Sequence, residues 1–171
     1  MPSLPRITRR SLVSSSAALA IAGPLQAASA SRSAPFEYEI TRTLPEWLER
    51  LSPDDFKVLR LSQTEPRHSS PLIQETRSGA YCCKGCDLPL YVSDWKVQLD
   101  IGWVFFRHGE ENALLMAVDH GQSDMGTHED TAKIEAHCRR CGSHIGHVLL
   151  VNGAVLHCVN GSSLQFEPAA S

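Results

Sequence analysis

Two cysteine pairs of identical spacing, Cys83-Lys84-Gly85-Cys86 and Cys138-Arg139-Arg140-Cys141, stand 51 residues apart in a chain of 171. A C-x2-C unit in a tight turn aims both sulfurs at one point, and two such units supply the four thiolates of a closed tetrahedral zinc site. Gly85 and Gly142 suit those turns. The gap is too long for a local zinc finger, so the intervening chain must bring two distant hairpins of one domain together. Two other readings use the same residues. The pairs could close as disulfides, or one could be a thioredoxin-like redox pair, although that motif normally accompanies a βαβ pattern that is not seen here. A rival ligand set of Cys138, Cys141, His144 and His147 leaves the first pair unexplained.

From Gly79 onward the chain breaks into short β-type runs. They are predicted at Ala80–Cys82, Leu90–Val92, Trp103–Arg107, Leu114–Val118, Lys133–His137, His147–Val151, Ala154–Val159 and Leu164–Phe166, punctuated by Gly, Asp, Asn and Ser. Gly121–Asp130 is polar, holds two glycines and reads as a loop. Upstream, Leu44, Trp47, Leu48 and Leu51 recur at helical spacing and predict one apolar stripe. Ser52-Pro53-Asp54-Asp55 then offers an N-cap, a first-turn proline and acids at the positive helix end. That second helix is expected to run to about Arg60 and to bury Phe56 and Leu59. Thr64–Ser78, with two prolines and few apolar residues, reads as an irregular arm lying on the body. Two helices followed by many short strands predict a mainly β, antiparallel domain over residues 44–171, preceded by a linker at 31–43.

Charged residues make up 20% and apolar residues 42%, a globular composition, and no run of 18 apolar residues suggests a permanent membrane span. Residues 1–30 contain three arginines and no acid, so the remaining body moves from a net charge of −3 to −6. A mildly acidic body with no basic patch argues against nucleic acid as a partner. Within the leader, Thr8-Arg9-Arg10-Ser11-Leu12-Val13 precedes the apolar run Ala17–Leu25 and a small-residue cleavage site at Ala28-Ser29-Ala30. This resembles a twin-arginine export signal leading to the periplasm, with an ordinary secretory signal or a Ser/Ala-rich tail as alternatives. Export of a folded chain would let metal load before the thiols meet an oxidising compartment. The expected state is a monomer.

Six cysteines minus the four in pairs leave Cys82 and Cys158. Cys82 adjoins a metal-type pair on an apolar run, where a free cysteine commonly acts as a small hydrophobe. Cys158 has a richer setting. Asn152-Gly153 between two apolar runs predicts a two-residue type I′ hairpin, because both central positions need positive φ. That register pairs 151 with 154, 149 with 156 and 147 with 158. His147 then stands across from Cys158 with Cβ atoms about 4.5–5.5 Å apart. An imidazole there is expected to lower the thiol pKa and make a nucleophile. Asn160, two residues on, shares that face, whereas His157 points the other way.

With these residues in view, Leu51–Ser171 resembles the methionine-(R)-sulfoxide reductases, the type B enzymes. The matching stretches are LSPDDFKVLR with TEP (51–66), GAYCCKGCDLPLY (79–91), GWVFF (102–106), CRRCGSHIGHV (138–148) and HCVNGSSLQF (157–166). The resemblance implies two antiparallel sheets and a structural zinc on Cys83, Cys86, Cys138 and Cys141, remote from catalysis. It implies Cys158 as nucleophile on oxidised methionine in proteins or peptides, leaving a sulfenic acid that a thiol reduces. It further implies roles for His144 and His147 in protonation and orientation, for Asn160 in hydrogen bonding, and for Trp103 and Phe106 against the substrate methyl.

The chain also departs from the family pattern. Val104-Phe105 replaces the Pro-Ser after the tryptophan, and Ile101 stands where many members carry a resolving cysteine. Leu156 and His157 replace an arginine and an aromatic, and the aspartate between His147 and Cys158 has no counterpart. An external reductant, thioredoxin-like or another thiol, is therefore expected. Two rival readings remain: a zinc-stabilised binding domain of the same fold with impaired catalysis, and a thiol–disulfide oxidoreductase using Cys83 and Cys86.

Overall fold

The computed structural model describes residues 36–119 and 133–170. The signal expected over 1–30, the first part of the linker and the loop at Gly121–Asp130 lie outside the described residues. The elements run α1 (Leu44–Arg50), α2 (Pro53–Leu61), β1 (Gly79–Cys83), β2 (Pro89–Val92), β3 (Lys96–Val97), β4 (Val104–Phe106), β5 (Leu114–Asp119), β6 (Lys133–Cys138), β7 (His144–Val151), β8 (Ala154–Val159) and β9 (Leu164–Pro168). Short 3-10 turns occupy Pro71–Ile73, Ser93–Trp95 and Gly161–Ser163. Every strand read from the sequence is present. Only β3 and the 3-10 turns are new, each too short to carry a period.

The strands form two antiparallel sheets, ordered β2-β1-β9 and β3-β4-β8-β7-β6-β5. One core joins them: Tyr81 and Tyr91 from the first sheet pack with Val104, Phe106, Ile145 and Val159 from the second. The β7–β8 hairpin has the expected register, with Val151 opposite Ala154, Leu149 opposite Leu156 and His147 opposite Cys158. Its turn residues Asn152 and Gly153 take φ of 50° and 81°, the left-handed pair that a type I′ turn demands.

In α2, Ser52 accepts a hydrogen bond from Asp55 N at 3.1 Å, and Phe56, Val58 and Leu59 are buried. The stripe expected on α1 is corrected. Trp47 and Leu51 are buried, whereas Leu44 and Leu48 stay about half exposed. A two-turn helix has room for one large anchor, and Trp47 fills it, with the Arg42 and Arg60 guanidiniums 4.8 and 4.7 Å from its ring. The described part of the linker lies against the second cysteine turn, where Ile40 N donates to Arg140 O at 3.0 Å and Glu39 pairs with Arg139 at 2.8 Å.

Phe106 does not line a substrate pocket. It has no exposed surface, stacks on Tyr91 with centroids 4.2 Å apart and meets Tyr81 edge-on at 5.0 Å. Strand alternation puts it on the core face and gives the opposite face to Phe105. Phe106→Ala is therefore expected to cost about 3–5 kcal/mol of folding stability, the range for deleting a buried aromatic. Urea unfolding of the variant checks this, and a loss under about 1 kcal/mol would contradict the packing.

Candidate functional site

The two C-x2-C turns meet. Cys83 Sγ lies 3.7 Å from Cys141 Sγ, Cys86 Sγ lies 3.4 Å from Cys138 Sγ, and all four sulfurs are within 4.8 Å of one another. Thiolates about 2.3 Å from a tetrahedral ion have sulfurs about 3.8 Å apart, so the donor set fits one metal. These cysteines are free and buried, not paired as disulfides. His144 and His147 belong to β7 and not to the ligand set. Helix α2 braces both turns: Arg60 donates to Cys141 O at 3.1 Å and Ser143 Oγ at 3.2 Å, and Lys84 pairs with Asp55 at 2.8 Å.

The second turn leads straight into β7 and its histidines. In an unbroken strand, residues three apart face opposite sides of the sheet. Here the β6–β7 register shifts: Ala136 pairs with Gly146, but His137 pairs with His144, leaving Ile145 as an extra residue. That bulge turns His144 onto the face of His147, and the two rings meet with centroids 5.3 Å apart. Ile145 itself drops into the core. Gly146 is needed for a different reason. A Cβ there would lie 2.1 Å from Cys158 O, so only glycine lets β8 approach this closely.

One rung of the sheet now reads Phe105, Cys158, His147, Glu135 and Ala117 across β4, β8, β7, β6 and β5. Glu135 hydrogen-bonds His144 Nδ1 with one oxygen and lies 3.2 Å from His137 Nε2 with the other. His147 Nε2 lies 3.1 Å from Asp119 Oδ2. Asp119 on β5 thus supplies a carboxylate to His147, although none stands between His147 and Cys158. Cys158 is partly accessible on this face.

At the end of the rung the irregular arm returns as a strap. Glu65, almost fully buried, accepts hydrogen bonds from Gly161 N at 2.7 Å and Ser162 N at 2.8 Å. Its own N–H donates to Asn160 Oδ1 at 3.1 Å, and its carbonyl receives Trp103 Nε1 at 3.3 Å. Asn160 Nδ2 donates to Ile145 O at 3.3 Å. Asn160 and Trp103 are therefore held by one residue of the arm, and the Arg67 guanidinium lies 5.1 Å from the Trp103 ring.

The electrostatics correct one expectation. His147 does not depress the Cys158 thiol. Burial, reinforced by the Glu65 charge, pushes it up to about 11. Burial likewise holds His147 below its ordinary value, against the opposing hydrogen bond to Asp119. The resting pair is thus thiol and neutral imidazole. Iodoacetamide modification read at Cys158 is expected to keep accelerating with pH and to level off only near 11. A midpoint like that of a free thiol, about 8.5, would contradict this environment. Cys82, sealed on β1 of the other sheet, is also pushed up to about 11 by burial and Glu167. His157 points to the core face, where Nδ1 lies 3.2 Å from Tyr91 OH.

Four site groups escaped the sequence reading: Glu65, Asp119, Glu135 and His137. Glu135 and His137 carried a usable signal, since their spacing of two on a predicted strand puts both on one face. Glu65 carried none, because a glutamate in a polar arm looks solvated.

Fold and site together define a two-sheet β domain clasped by four thiols, with a single partly accessible cysteine beside paired histidines on one sheet face. The SelR domain family matches residues 51–168. The chain is 37% identical over 131 residues to peptide methionine sulfoxide reductase B3 of Arabidopsis thaliana, covering 74% of this chain and 69% of that protein. With the chloroplastic B2 protein of the same plant it shares 36% identity, covering 72% of this chain and 59% of that one. With peptide methionine sulfoxide reductase MsrB of Agrobacterium fabrum it shares 31% over 134 residues, covering 76% and 94%. The chain belongs to the SelR domain family, that of the type B methionine-(R)-sulfoxide reductases.

Proposed function

We propose that this protein reduces methionine-(R)-sulfoxide in proteins or peptides at the expense of an external thiol, with Cys158 as the nucleophile. The observation that carries the reading is the direct pairing of His147 with Cys158 on an accessible sheet face, with His144 beside them. The resting thiol suits this chemistry. The Cys158 sulfur attacks the sulfoxide sulfur, and its proton passes through an imidazole to the sulfoxide oxygen. That oxygen ends on Cys158 as a sulfenic acid and methionine departs, so the thiol itself supplies the proton that the oxygen needs.

A donor thiol then attacks the sulfenic acid, releasing water and forming a mixed disulfide. A second thiol frees Cys158, so two thiols are oxidised for each sulfoxide reduced. Cys82 lies buried in the other sheet, which favours a donor from outside the chain. Trp103, immediately before β4 and partly exposed, supplies the apolar surface for the substrate methyl, whereas Phe105, opposite Cys158, is itself buried.

Cys83, Cys86, Cys138 and Cys141 would hold zinc. Four thiolates leave no open coordination position, so the metal supplies stability and not chemistry. Export by the twin-arginine route and a monomeric state belong to the same proposal, on the strength of the leader sequence and composition. The second reading, a binding domain with impaired catalysis, draws on Leu156, buried where the family has an arginine. Dithiothreitol-driven reduction of the separated R and S epimers decides between them: turnover confined to the R epimer supports the enzyme, and none on either supports the binding domain.

A further inference from the structure

His144 uses only one of its ring nitrogens. Nδ1 is bonded to the Glu135 carboxylate, while Nε2 is closed off from solvent and has no hydrogen-bond partner among the described residues. Buried polar atoms are nearly always paired, so an unpaired one in a site signals a place kept for a reacting group. Glu135 accounts for the asymmetry. Burial works against its charge, but the bond from His144 and the nearby imidazoles outweigh burial and hold its carboxyl down to about 2. An ionised carboxylate can only accept. Nδ1 must therefore carry the proton, and in the neutral ring the lone pair falls to Nε2.

Position supports the same assignment. The two ring nitrogens diverge, so a ring tethered through Nδ1 to β6 turns Nε2 away from that strand. On the other side of β7 lies β8, with Cys158 and Asn160. His147 is differently committed, since its Nε2 is tied to Asp119 and its side chain keeps some exposure to water. His137, on the second oxygen of Glu135, keeps that carboxylate from turning away from His144.

We infer that Glu135 is a positioning residue: it holds His144 as the Nδ1–H tautomer, so that Nε2 takes the Cys158 proton and returns it to the sulfoxide oxygen. Asp119 then orients His147, which lines the approach to Cys158 without carrying the proton. The inference rests on the reductase reading for its chemistry, but its structural half can be read without turnover.

Nitrogen-15 NMR of histidine-labelled full chain reports the tautomer of each imidazole, with the His144 signals assigned by their loss in His144→Asn. A wild-type spectrum with the His144 proton on Nδ1 is expected, and a proton on Nε2 in the neutral ring would overturn the inference with no substitution at Glu135 required. Glu135→Gln keeps the shape and removes the charge. It is expected to mix the two tautomers and lower kcat on the order of 10²-fold, the scale of a misplaced general acid–base group, with KM little changed. An unchanged tautomer in that variant, or an unchanged kcat despite a changed one, would overturn it. Failure of the wild-type protein to reduce the R epimer would instead remove the reductase reading, while the wild-type spectrum still decides whether Glu135 sets the tautomer.

Discussion

Cys158→Ser is expected to lower reduction of methionine-(R)-sulfoxide by at least about 10³-fold, the scale seen when a covalent nucleophile is removed. The reason is chemical and not steric. Serine fits the partly accessible position opposite His147, so the fold should persist and urea unfolding should move little. Its oxygen, however, would have to accept the sulfoxide oxygen and end as a peroxide, a far less stable bond than that of a sulfenic acid. The raised thiol pKa sharpens the comparison. Because the resting sulfur is protonated, the rate depends on moving its proton during attack, and the bound sulfoxide oxygen is the acceptor that makes this favourable. The measurement is single-turnover reduction of the R epimer by each protein, with the sulfenic acid of the wild type trapped by dimedone. Equal rates, or a trapped adduct on another cysteine, would move the nucleophile elsewhere.

Removing the metal is expected to have the second largest effect. The four sulfurs join turns 52 to 58 residues apart in sequence, so losing the ion opens a long loop as well as four bonds. Structural zinc contributes on the order of 10–16 kcal/mol in small domains, comparable with the whole stability of an ordinary fold. Either Cys138→Ser or exhaustive chelation should therefore abolish cooperative unfolding and the near-ultraviolet circular dichroism of the core aromatics. Activity should fall with it, because the second turn leads directly into His144, whose carbonyl accepts Ser163 Oγ at 2.9 Å. One zinc released per chain on treatment with a thiol-modifying mercurial is the expected stoichiometry. A metal-free chain that melts unchanged after chelation would refute the clasp and revive the thiol–disulfide reading of Cys83 and Cys86.

Local signals in the sequence specify much of this fold. Asn152-Gly153 specified the hairpin turn, and the period of two then set His147 opposite Cys158, because a register slip would expose the apolar face. The cysteine spacing pointed to the clasp, since each C-x2-C turn aims two sulfurs at one point, and the structure brings the four together. Phe106 was misplaced because the residues of GWVFF carry no mark of which ring faces the core. Leu44 and Leu48 were misplaced because a helical stripe shows which residues share a face, not how much of that face a neighbour covers.

What the sequence determined alone was therefore whatever depends on near neighbours: strand positions, the hairpin register, the helix caps and the paired thiols. Tertiary structure decided the rest. The bulge at Ile145 brings His144 and His147 onto one face, the strap delivers Glu65 to Asn160 and Trp103, and Glu135 and Asp119 reach the histidines from other strands. These contacts depend on how strands pair across the sheet and where an irregular arm is packed down. Neither is set by any local run of residues, and burial, the cause of the raised Cys158 pKa, exists only once the chain has closed around it.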